Sequence, residues 1–192
     1  MAYTVIRMSG TLRPLLLLSL LLLASDARAT VLIPADLGEL SRDAVAIARG
    51  RVAALDTQWT EDRGTIETIV TLEVESYLKG SLGSRLRFRV PGGELGRFRS
   101  VVVGAPSFAV DQHVVVFLGA RGPSVPHLLG MSQGLFRVSR APDNSGWLVT
   151  SPVVLPAAAG ASTRVVRGDP ARRALALGDF EQTVRALAGG AK

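Results

Sequence analysis

Cysteine is absent from this 192-residue chain. Disulfides, thiol nucleophiles and thiolate metal sites are therefore excluded, as is a lipoprotein anchor, which needs a cysteine at the first mature position. Histidine is nearly absent: only His113 and His127 occur, each in or beside a strand-like run with no carboxylate at ligand spacing, so the sequence predicts no metal site and no cofactor. Aromatic residues make up 5% of the chain, which gives individual weight to Trp59, Phe98 and Trp147. Lysine is scarce as well, since 20 of the 22 basic residues are arginine. Together with abundant alanine, glycine, leucine and valine, that bias points to a GC-rich bacterial source.

No apolar run is long enough to cross a bilayer, which takes about 20 residues. The longest, "LLLLSLLLLA" from Leu15 to Ala24, follows Arg7 and Arg13 and precedes Ala27-Arg28-Ala29. A positive start, a short apolar stretch and small residues at the cleavage positions predict a secretory signal peptide over 1–29, cut after Ala29. The protein is expected in the periplasm or outside the cell, with no transmembrane segment after cleavage. Cleavage removes three arginines against one aspartate and takes the net charge from +6 to +4. A pI near 10.9 invites a nucleic-acid reading, but export and the reduced charge argue against it.

The mature chain reads as many short strands. "VAIARGRVAAL" is β-rich with a glycine at position 50, a bulge signal. "TIETIVTLEVESY" alternates with Val70, Leu72 and Val74 on one side. "RLRFRV" alternates arginine with Leu86, Phe88 and Val90, and "HVVVFLGA" is the unbroken apolar run of a strand covered on both faces. "HLLGMSQGLFRVS" reads as a long strand kinked at Gly130 and Gly134, and "WLVTS" as a last short one. Asp36 with Glu39 marks a short N-terminal helix, and Phe180, Val184 and Leu187 stripe a C-terminal helix expected to dock on its own domain. Residues 30–152 therefore predict a mainly β domain, a sandwich or, favoured by the long strands with internal glycines, a small antiparallel barrel, and residues 153–192 a Pro/Ala/Gly-rich arm with the C-terminal helix. A monomer is expected.

Charge parity predicts how the second and third strands meet. A turn centred on Ser81 sets Glu75 opposite Arg87, Glu73 opposite Arg89 and Tyr77 opposite Arg85. The arginine row is then the partner of the acid row rather than a polyanion surface.

The segments "DAVAIARGRVAAL", "TLEVESYLKG", "RFRVPGG" and "FAVDQHVVVFL" occur in the order found in netrin-like domains. The chain thus resembles, over residues 44–119, the OB-fold domain shared with tissue inhibitors of metalloproteinases, as a cysteine-free bacterial exported relative. The resemblance implies a barrel and a protease-associated inhibitor or partner. Without an N-terminal cysteine, it carries over no inhibitory residue.

Catalytic sets are not assembled by the sequence. Ser107 in "GAPSF" and Ser132 in "GMSQG" lack the strand-turn-helix setting of a nucleophile elbow. Glu73 and Glu75 lie about 7 Å apart along one strand face, beside arginines that keep both ionised. "VPGGELG" lacks the Lys-Ser/Thr of a phosphate loop. The remaining reading is a non-catalytic exported domain that binds a protein or a cell-envelope polymer. The candidate residues are Trp59, Arg97, Phe98 and Arg99 in predicted loops, and Trp147. The alternatives are a protease partner, and binding to polysaccharide or lipid headgroups through the arginines.

Overall fold

The computed structural model describes residues 36–122, 124–150 and 174–189; the predicted signal peptide and the arm over 153–173 lie outside them. Helix α1 spans Leu37–Asp43, capped as expected: the Glu39 amide donates to Asp36 Oδ1 at 2.6 Å. Ten strands follow: β1 (Ala46–Trp59), β2 (Ile66–Lys79), β3 (Arg85–Pro91), β4 (Gly93–Leu95), β5 (Phe98–Ser100), β6 (His113–Gly119), β7 (His127–Leu128), β8 (Leu135–Arg140), β9 (Trp147–Thr150) and β10 (Leu175–Ala176). Helix α2 covers Leu177–Gly189.

The larger sheet runs β1-β2-β3-β7-β6-β8-β9-β10, and β1 also pairs with β6. The pairings β1–β2, β2–β3, β3–β7, β7–β6 and β6–β1 therefore return to their start. All are antiparallel except β3–β7, where Arg89 meets His127 in parallel. Over residues 47–51 β1 pairs with β2 along one edge and with β6 along the other, and it bends at a bulge at Gly50, where the register with β2 skips Glu75: Arg49 faces Ser76 and Gly50 faces Val74. At that bend the Glu73 carbonyl occupies the space a Cβ on residue 50 would need.

Strand β6 sends alternate side chains to two cores, which is why its sequence is apolar throughout. Val114, Val116 and Leu118 join Val70, Leu72 and Phe88 in one cluster. Val115 and Phe117 join Phe136, Phe180 and Val184 in the other, beneath the helices. The Phe117, Phe136 and Phe180 rings form a chain with centroids 5.4 and 4.9 Å apart. The C-terminal helix is thus part of the core.

Three sequence expectations are corrected. The β2–β3 register differs from a turn centred on Ser81: Glu73 faces Arg85, Thr71 faces Arg87 and Ile69 faces Arg89. The end of β2 stays on β1, with Lys79 Nζ donating to the Ser41 and Arg42 carbonyls at 2.9 and 2.8 Å. Closure comes at Val74, whose amide donates to the Ser84 carbonyl at 2.8 Å, and the chain between them forms a wide loop. Only the parity held: the apolar residues still share one face, but Leu86 faces Leu72 and Phe88 faces Val70. Second, "HLLGMSQGLFRVS" is two strands, because residues Met131–Gly134 form a 3-10 turn after a left-handed Gly130. Strands β7 and β8 lie end to end along the same edge of β6. Third, "GGELGRFRS" is a hairpin, β4 with β5, turning at Gly96 (φ 59°) and Arg97.

Candidate functional site

The β1–β2 ladder continues to the pair Trp59–Ile66, so Trp59 ends a strand rather than lying in a loop. Its ring meets the Phe98 ring edge-to-face, with centroids 5.4 Å apart. The Arg97 guanidinium sits 5.0 Å from the Phe98 centroid, and Arg99 Nε is 3.1 Å from Glu94 Oε1. Four of the five predicted residues therefore form one surface where the β4–β5 hairpin abuts the β1–β2 tip. A Thr65–Ser100 hydroxyl contact at 3.1 Å links the two hairpins. Phe98 is 46% exposed and Trp59 38%, so the pair is partly accessible to solvent. Beyond the hairpin, Val101 and Val103 are 74% and 77% exposed.

Trp147 is elsewhere. It lies on β9, with Arg140 stacked 4.7 Å from its ring and the His113 ring 5.3 Å away. His113 Nδ1 is 3.0 Å from Glu75 Oε1, while Arg49 spans Glu75 Oε2 and Glu181 Oε1, each at 3.4 Å. This cluster ties β1, β2 and β6 to α2. It supplies His113 with the carboxylate neighbour that its sequence surroundings lack, but Arg49 occupies the other oxygen. Among the described residues no group of three or more His, Asp or Glu is placed to hold a metal. The acid row is neutralised mainly from β1: Arg51 bonds both Glu73 and Asp111, while Arg85 of β3 stands 3.6 Å from Glu73. The Asp111 hydrogen bond, and then that of Glu73, raise the Arg51 pKa further.

The Ser107 carbonyl accepts from Arg137 at 3.1 Å, and Ser132 is buried in the 3-10 turn with its amide on the Gly104 carbonyl. Among the described residues neither hydroxyl is hydrogen-bonded to a histidine or carboxylate.

The cleft that sequence reasoning missed lies on the other side of the β1–β2 tip. It has a volume of about 370 Å³ and brings together Arg89 of β3, His127 of β7 and Arg121 of the β6–β7 loop, with Thr60 and Thr65 at the tip. Burial, then Arg121, then Arg89 lower the His127 pKa below the ordinary 6.5. A signal was present: residues 112–142 carry both histidines and three arginines without one carboxylate. What joins them, the β3–β7 pairing, spans 38 positions and leaves no local pattern.

The lowered His127 pKa has a consequence for stability. The folded protein binds fewer protons than the unfolded chain, so this contribution is complete above about pH 6.5 and falls as the pH drops through that value toward the folded pKa. The expected result is a His127 imidazole titration centred below 6.5 by NMR. A His127→Gln variant should lose less stability than the parent between pH 7 and 5 in urea melts.

No protein-family model, curated protein or solved structure matches this chain.

Proposed function

We propose that this is a non-catalytic exported binding domain, built on an OB-like barrel, whose partner is a protein or a cell-envelope polymer. Support for the barrel comes from the closed ring of five strands, with its one parallel pairing. In OB barrels, ligands lie across the second and third strands between the loops joining strands 1–2 and 4–5. The equivalent loops here are 60–65 and 120–126. Export rests on the predicted leader; no helix among the described residues is long and apolar enough to cross a membrane.

The single observation that carries the binding reading is the accessible Trp59–Phe98 pair with Arg97 stacked on it. Aromatic and arginine side chains dominate binding hot spots, and the same rings can stack on sugars. Polyanion binding at this hairpin is the weaker reading, because Arg99 is paired with Glu94 and Arg97 is engaged by Phe98.

The test is capture of partners from a solubilised envelope fraction on immobilised protein. Trp59→Ala with Phe98→Ala should weaken capture by about 30-fold or more, as loss of a hot spot of about 2 kcal/mol requires. Capture unaffected by the double variant contradicts the reading. So does hydrolysis by the purified protein that is lost in Ser107→Ala or Ser132→Ala.

A further inference from the structure

We propose that the cleft between Arg89, Arg121 and His127 binds one anionic group, a carboxylate or its equivalent, carried on an apolar body. This rests on the reading above, that the face around the β1–β2 tip is the binding face, and it names the ligand chemistry of the cleft within it.

The walls set the body. Ile66, Val90 and Leu128 are buried around the cleft, and Pro91, Val125 and Met131 complete an apolar lining. The volume of about 370 Å³ falls within the range of about 300–1,000 Å³ typical of small-ligand pockets.

The charges set the head. Arg89 Nε donates to the Val125 carbonyl at 3.1 Å, and its Nη1 lies 4.0 Å from Glu67. Glu67 also accepts from Gln58 Nε2 at 3.0 Å, so the one carboxylate lining the cleft is held by its own neighbours. The Arg121 guanidinium has no acceptor among the described residues. Its charge is felt in the cleft, since it helps to hold His127 neutral. One cation is thus left uncompensated over an apolar lining, with five N–H donors in a fork that matches a carboxylate.

Other classes fit less well. A cation would meet two arginines, and a polyanion would bring more charge than one free guanidinium balances. A nucleic-acid base finds no Phe, Tyr or Trp among the lining residues to stack on.

The experiment uses the full-length chain and three probes of one shape: octanoate, 1-octanol and octylammonium. Binding is followed by amide NMR shifts. Octanoate is expected to bind about 10-fold or more tightly than octanol, the ratio one charge-assisted hydrogen-bonded pair gives. Octylammonium should bind weakest. Shifts should centre on residues 89–91 and 121–131. Arg121 is exposed, so Arg121→Gln leaves the fold intact and should bring octanoate to within about threefold of octanol while octanol itself is unchanged. Octanoate, but not octanol, should raise the His127 titration midpoint, because an anion offsets the two arginines.

Equal affinities for octanoate and octanol, or an octanoate affinity indifferent to Arg121→Gln, overturn the proposal. The Trp59→Ala/Phe98→Ala variant separates it from the broader reading, since octanoate binding should survive there while envelope capture is lost. If octanoate fails and capture succeeds, the cleft proposal alone falls. If octanoate binds as described and nothing is captured, the cleft stands and the broader function falls.

Discussion

Phe180→Ala lowers the unfolding free energy by about 3–5 kcal/mol, the range for emptying a buried phenylalanine site. Phe180 is 1% exposed and its ring centroid lies 4.9 Å from that of Phe136, which in turn contacts Phe117 on β6. The substitution breaks this chain at the helix end. The part-buried Arg49–Glu181 ion pair at 3.4 Å remains in the variant, but such a pair returns little net stability once its desolvation is counted. Urea denaturation should show the loss, with part of the helical far-UV signal disappearing before the β signal. A change under about 1 kcal/mol contradicts the assignment of α2 to the core.

Gly50→Ala carries the other large effect. Its Cβ would overlap the Glu73 carbonyl, with Leu72 Cγ 3.0 Å away, and residue 50 is paired with Val74 of β2 and Val114 of β6. No flexible side chain can give way, so the clash must move two strands. Overpacking a core costs about 1–3 kcal/mol where side chains can shift. A backbone clash exceeds that, and at least about 3 kcal/mol of the 5–15 kcal/mol typical of a domain should go. Gly146→Ala is the control: nothing lies within 4 Å of its Cβ position and its φ is not positive, so a change within about 0.5 kcal/mol is expected. Equal stability of the two variants places the bend elsewhere.

The sequence made some of this legible. Asp36 and Glu39 marked α1, Gly50 marked the bend in β1, and the apolar run of β6 announced a strand buried on both faces. Each is a local signal: a cap, a missing Cβ, a two-residue period. The β2–β3 register was not legible, because parity tells which residues share a face and not which pairs meet. The offset depends on β2 staying with β1 as far as Lys79, anchored on α1. The sequence does not separate a break between β7 and β8 from a kink, because Gly130 and Gly134 can serve either purpose.

Part of the candidate site followed the same logic. Trp59, Arg97, Phe98 and Arg99 stand out in the sequence as aromatic and arginine residues near turns, and the hairpin brings them together. Trp147 had the same local credentials, but its strand lies on the far side of β6, where it packs with His113 and Arg140. Arg89 and His127 face each other only through a parallel pairing of one residue on each strand. Arg121 reaches them from a loop. No spacing rule connects three such positions.

The most direct measurement is an amide NMR map of the isotopically labelled protein titrated with the partner recovered from the envelope fraction. Shifts concentrated in residues 57–66, 89–100 and 121–128 are predicted, because the β1–β2 tip adjoins both the Trp59–Phe98 pair and the cleft. Shifts concentrated instead at Trp147, His113 and helix α2, with residues 57–66 and 93–100 unmoved, contradict the account.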